Sequence, residues 1–99
     1  MNITRQTQDD RLIIFLEGKL DTVTAPQLDA ELRAAFEDRS VVEVDMEKLA
    51  YISSAGLRVL HSTHKRLKST GKRLLISHAS GMVLDVFEST GFASFLELI

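Results

Sequence analysis

The sequence predicts an α/β domain built on a mixed sheet that opens with a hairpin. Hydrophobic spacing alternates along the chain between a strand period of two and a helix period of three to four. The resulting strand-helix-strand units have the length that pairs successive strands in parallel through right-handed crossovers. With 99 residues, 44% of them hydrophobic, the chain suits a single domain over 1–99 with one core.

Residues 2–7 form the first predicted strand, Asp9-Asp10 a turn, and Arg11-Leu12-Ile13-Ile14-Phe15-Leu16-Glu17 a second strand that Gly18 ends. Thr24-Ala25-Pro26-Gln27 carries the signals of a helix start, with Thr24 as cap, Gln27 reaching back to it, and Pro26 tolerated in the first turn. Leu28, Leu32, Ala35 and Phe36 then recur at helical spacing as its core stripe. Val41-Val42-Glu43-Val44-Asp45-Met46 is the next strand, and a loop leads from it to a second helix over about 54–69 that stops before Gly71. Its inward stripe reads Leu57, Leu60, His64 and Leu67. Arg73–Ser77 is another strand, and Ser80 caps a short helix carrying Val83, Leu84 and Phe87 that Gly91 ends. Phe92–Ile99 is apolar enough to cover a core edge or add a last short strand, and Met46 and Met82 read as core filler.

Composition removes several function classes. The absence of Cys rules out a disulfide framework, a thiol nucleophile and Cys-based metal sites. The N-terminus lacks a basic region followed by an apolar run, and no stretch approaches the roughly 20 apolar residues that span a bilayer, so a cytoplasmic protein without a membrane partner is expected. Residues 1–47 hold 11 acidic and 5 basic residues, whereas residues 48–99 hold 3 and 7. The basic excess gathers at Lys65, Arg66, Lys68, Lys72 and Arg73, where cations near a helix C-terminus are favourable in themselves. A nucleic-acid footprint would be more basic and richer in aromatics, and this chain has one Tyr and no Trp.

The most informative stretch is Asp45-Met46-Glu47-Lys48-Leu49-Ala50-Tyr51-Ile52-Ser53-Ser54-Ala55-Gly56-Leu57, which sets two hydroxyls on the step into a helix. A helix start offers unpaired N–H groups and the positive end of the dipole, a place suited to an anion. Used as a nucleophile instead, Ser54 would need a base. His61 and His64 lie seven and ten residues on, about 10 and 15 Å along the axis at roughly 1.5 Å per residue, beyond hydrogen-bond reach. His78 falls on the same predicted sheet edge as Asp21 and Ser54, but Ile52 stands where a Gly-x-Ser-x-Gly elbow has its first Gly. No Gly-rich phosphate loop precedes a helix and the three His show no paired metal spacing, so neither an enzyme nor a cofactor or metal is expected.

Three segments in order make the chain resemble the STAS domain family, and within it the bacterial anti-sigma factor antagonists. Gly18-Lys19-Leu20-Asp21 is similar to the family's turn before the first helix. The Asp45–Leu57 stretch is similar to its phosphorylation loop, with Ser53 where many relatives carry Asp, and Val86–Phe92 to its short helix and Gly turn. The resemblance implies the STAS fold: four or five strands with helices mainly on one face.

It also implies phosphorylation of the hydroxyl two places before the Gly, here Ser54 rather than Ser53, and partner binding through Asp21, Thr22, Ser53, Ser54, Ala55, Gly56 and Arg58. The implied function is that of an anti-sigma factor antagonist, a non-enzymatic partner-switching protein. Its implied partners are a serine kinase of the histidine-kinase-like ATPase superfamily, acting as anti-sigma factor or switch protein, and a PP2C-type phosphatase. The alternative within the family is a STAS subunit that is a structural partner in a larger complex, such as a lipid-transport assembly, whose loop would lack a phosphorylatable residue.

Overall fold

A computed structural model describes residues 1–99. Strand β1 (Asn2–Gln8) pairs antiparallel with β2 (Arg11–Leu20), and Asp9, at φ 55°, makes the tight hairpin turn. Helix α1 (Ala25–Asp38), β3 (Val41–Ile52), α2 (Ser54–Leu67), β4 (Arg73–Ser77), α3 (Gly81–Ser89), a 3-10 turn (Phe92–Ser94) and β5 (Glu97–Leu98) follow. From β2 onward every strand pairs parallel with its predecessor, so the sheet order is β1-β2-β3-β4-β5. All three crossovers step in one direction, and the right-handed rule therefore puts all three helices on one face.

The core lies between that face and the helices. Leu12, Ile14 and Leu16 of β2, Val42, Val44 and Met46 of β3, and Leu74 and Ile76 of β4 meet Leu28, Leu32 and Phe36 of α1, Leu57 and Leu60 of α2, and Val83 and Phe87 of α3. The opposite face has no helix over it. There Ile13, Glu43, Asp45, Leu75 and Ser77 are buried by their neighbours in the sheet, and Arg11 forms a 2.7 Å ion pair with Glu43. The C-terminal residues both cover and extend the sheet: Leu96 is buried, Arg73 grips Glu97 with two hydrogen bonds, and Ile99 N–H donates to Ile76 O at 2.8 Å. No helix is long and apolar enough to cross a membrane.

Several elements differ from expectation for identifiable reasons. Gly18 does not end β2; at φ 113° it sits inside the strand, which runs on to Leu20. Strand β3 continues to Ile52 rather than stopping at Met46, because it carries two extra residues opposite β2: Phe15–Leu20 pairs with Asp45–Ile52. Each bulge resets the alternation, so core contacts pass from Met46 to Leu49 to Ile52 in steps of three. The Asp45 carboxylate accepts the Glu47 N–H at 2.9 Å within the first irregularity.

Thr24 does not cap α1 with its side chain, since its backbone is already helical at φ −94°, ψ −17°. Its Oγ1 instead accepts the Asp21 N–H and donates to Lys19 O. Along α2, Thr63 rather than His64 is fully buried, and His64 and Leu67 lie at the margin, where His64 packs on Phe95 with ring centroids 5.2 Å apart. Met82, at 40% exposure, is not core.

Candidate functional site

The long pairing of β2 with β3 places the site. Beyond Asp45, where the β4 ladder ends, only these two strands continue, and they finish side by side with Leu20 opposite Ile52. The Ser53 N–H closes the pair by donating to Leu20 O at 2.9 Å. The β2–α1 turn and the start of α2 are therefore adjacent although more than thirty residues separate them in sequence.

On the β2 side the turn is built around Asp21. Its Oδ1 accepts the N–H groups of Val23 (3.0 Å) and Thr24 (3.1 Å), and its own carbonyl accepts the Ala25 N–H. Those donors, the Thr24 N–H foremost, hold the carboxyl pKa below its ordinary 3.8. A turn so anchored projects Val23 into solvent at 85% exposure.

On the β3 side the two serines fall in different environments. Ser53 is the N-cap, extended at φ −103°, ψ 176°, and its Oγ is buried without a hydrogen-bond partner. Ser54 is the first helical residue and is exposed. No acidic residue stands in the first turn of α2, and exposed Arg58 lies one turn on from Ser54, at the i, i+4 spacing that puts both on one face. An anion on Ser54 would meet free helix N–H groups, the positive dipole end and a guanidinium.

Gly56 is buried rather than presented. A Cβ there would lie 2.6 Å from Leu20 Cγ and 3.0 Å from Ile52 Cγ1, so this position lets α2 close onto the ends of both strands. Thr22 and Pro26 from the α1 side, with Ala55, Arg58 and Val59 from α2, line a groove between the helices. Sequence reasoning missed Val23, whose available signal was an apolar residue inside the polar turn Asp21-Thr22-Val23-Thr24. It also passed over the half-exposed Tyr51, on the approach to Ser53.

His78 is not part of this site. It is tied to Asp45 by a 3.0 Å Nδ1–Oδ2 contact at the end of β4, whereas Ser54 lies beyond the Glu47–Ile52 extension of β3. Measured along β2, which carries no extra residues there, the run from Asp45 to Ile52 is about 16 Å at about 3.3 Å per residue, so the two do not share a working edge. No Ser-His pair can form across such a distance.

The STAS domain model matches residues 2–99, and the chain belongs to this family. Its relatives lie among the anti-sigma factor antagonists, regulatory proteins rather than enzymes. BtrV of Bordetella bronchiseptica, named as an antagonist of that kind, is 40% identical over 96 residues, covering 95% of this chain and 82% of its own. The anti-sigma-B factor antagonist of Staphylococcus aureus is 30% identical over 99 residues, covering 99% and 92%. The solved Bacillus protein SpoIIAA in its phosphorylated form superposes with a TM-score of 0.74 at 19% identity, over 99% of this chain and 91% of that one, a likeness of fold.

Proposed function

We propose that this chain is an anti-sigma factor antagonist that switches partners through phosphorylation of Ser54. In its unmodified form it binds a serine kinase of the histidine-kinase-like ATPase superfamily, acting as anti-sigma factor or switch protein, and so releases that kinase's other client. Phosphorylation by the kinase ends the binding, and a PP2C-type phosphatase restores it. The observation that carries this reading is the contrast between the two hydroxyls: Ser54 is exposed at the first position of α2, while the Ser53 Oγ is buried. A kinase must bring a hydroxyl into line with a γ-phosphate, which a buried oxygen does not allow without local opening.

The surface that would read the state of Ser54 comprises Asp21, Thr22, Ala55 and Arg58, with Val23 as an added apolar contact; Ser53 and Gly56 support it from beneath. A phosphate adds about −1.5 to −2 charges. In the free protein the helix start and Arg58 offset them, whereas in a complex they would be desolvated against a surface shaped for a small neutral group. The experiment is incubation with the co-purified kinase and ATP, read by phosphopeptide mass spectrometry. One phosphate is expected on Ser54, lost in Ser54→Ala and largely kept in Ser53→Ala. Phosphate on Ser53 in the unaltered chain would overturn the assignment.

A further inference from the structure

On the sheet face away from the helices, Asp45, Glu47 and His78 each bring one ligand atom into a group whose members all lie within 4.8 Å of one another. We infer that these residues, with Ser77, form a binding site for a divalent cation of mixed nitrogen and oxygen preference, separate from the Ser54 surface.

Asp45 is the fixed member, with its side chain 10% exposed. Its Oδ1 is held by the Glu47 N–H, which leaves Oδ2 facing His78 Nδ1 at 3.0 Å. That is an ordinary hydrogen-bond length, and because two ligands bound at about 2.1 Å and at right angles on one ion also stand about 3.0 Å apart, the pair can exchange its hydrogen bond for six-coordination, as for Mn²⁺ or a six-coordinate Zn²⁺, with little movement. Tetrahedral ligation would need about 3.4 Å. Glu47 and His78 are exposed, leaving the outer side open to water ligands and to an entering ion.

Ser77 supplies an independent observation. It sits directly across the β3–β4 ladder from Asp45, on the same sheet face, and is 4% exposed. Its Oγ is buried and has no hydrogen-bond partner, an arrangement that costs free energy unless something fills the need. A cation held by Asp45, smaller than a water molecule and bound at shorter range, would give this oxygen its partner. The Asp45–His78 hydrogen bond alone accounts for two of the residues and leaves Ser77 unexplained. Glu17 and Lys48 line the cleft beside Asp45 and Glu47, and their opposite charges offset each other there.

The test uses the whole chain, stripped with EDTA, titrated separately with Zn²⁺ and Mn²⁺ by calorimetry while imidazole NMR signals are followed. Binding of one ion per chain is expected, with His78 moving and His61 and His64 still. His78→Asn suits the backbone, since Asn tolerates the φ of 58° found there. It and Asp45→Asn, which keeps an acceptor for the Glu47 N–H, should each weaken binding at least about tenfold. Ser77→Ala should weaken it by a smaller factor, and His61→Gln with His64→Gln should leave it unchanged. No binding of either ion up to about 1 mM, full affinity in His78→Asn, or loss of binding in the His61/His64 variant would each overturn the site. Phosphorylation of Ser54 in the His78→Asn variant should proceed as in the unaltered chain, which separates this site from the switch.

Discussion

Asp21 shows how much a single carboxylate can organise. It accepts two backbone N–H groups and so shapes the turn that carries Thr22 and Val23 to the site. Because its folded pKa lies below the unfolded 3.8, its contribution to stability is present above pH 3.8 and is lost as pH falls further, through the folded value. Asp21→Ala should lower the thermal midpoint at pH 7, and the gap between variant and unaltered chain should narrow below pH 3.8; a constant gap in calorimetric melts down to acid unfolding would show that the charge is irrelevant. Asp21 was legible in the sequence as a turn carboxylate, because a short side chain bonding to the backbone two and three residues on is local chemistry. Gly56 was legible only in part. It entered the sequence reading as a partner contact implied by the resemblance, and no local window showed that Leu20 and Ile52 would fill the space beneath it. Gly56→Ala should therefore destabilise the fold by about 1–3 kcal/mol in urea denaturation. In a Leu20→Ala background the same change should cost less, as a double-mutant cycle would show.

Among the elements, β3 departs furthest from its sequence pattern and matters most to the site. Its first six residues alternate and read as a strand, whereas Glu47–Ile52 read as a loop because two bulges turn a period of two into a period of three. Bulges are set by pairing with β2, information that no local window of β3 contains. The C-terminal strand is the contrasting case, two residues long and held at an exposed edge by Arg73 on Glu97. The Arg73 guanidinium lowers the Glu97 pKa from 4.5, so this pair stabilises the edge fully above pH 4.5, and that contribution is lost as pH falls further, through the folded value. Both side chains are about half exposed, so Arg73→Gln should leave global stability nearly unchanged. It should nonetheless speed hydrogen exchange at the Ile99 amide, which depends on Ile76 O; unchanged exchange there would mean that Leu96 and Phe95 alone anchor the segment.

For the molecule as a whole, the proposed switch requires that charge at Ser54 be tolerated by the free protein and rejected by the complex. A carboxylate at the first position of α2 faces the positive end of the helix dipole and Arg58, so Ser54→Asp should alter folding stability by no more than about 1 kcal/mol. The same variant should lose affinity for the kinase by tenfold or more, roughly 1.4 kcal/mol, measured by calorimetry on co-purified partner. Equal losses in folding and in binding would make the α2 start a structural element only. The basic cluster at the far end of α2 stands apart from this surface. Arg66 leans on Asp29, Lys72 donates to Phe36 O, and Arg73 is paired with Glu97, so three of its five cations serve the fold.

What the sequence determined by itself is the order of strands and helices, the parallel pairing after the first hairpin, and the apolar stripes of α1 and β2, all of which follow from side-chain period and local turn chemistry. It also singled out the Ser53-Ser54 step, to which the family resemblance added Asp21, Thr22 and Arg58. Only the tertiary structure decided which hydroxyl faces solvent, because that depends on where α2 begins relative to the ends of β2 and β3. Only it separated His78 from Ser54, by running two strands beyond the end of β4, and only it brought His78 to Asp45, 33 positions away in sequence. Period and propensity are properties of a few neighbouring residues; the depth of a hydroxyl and the meeting of distant ligands are set by strand register, which the whole sheet fixes together.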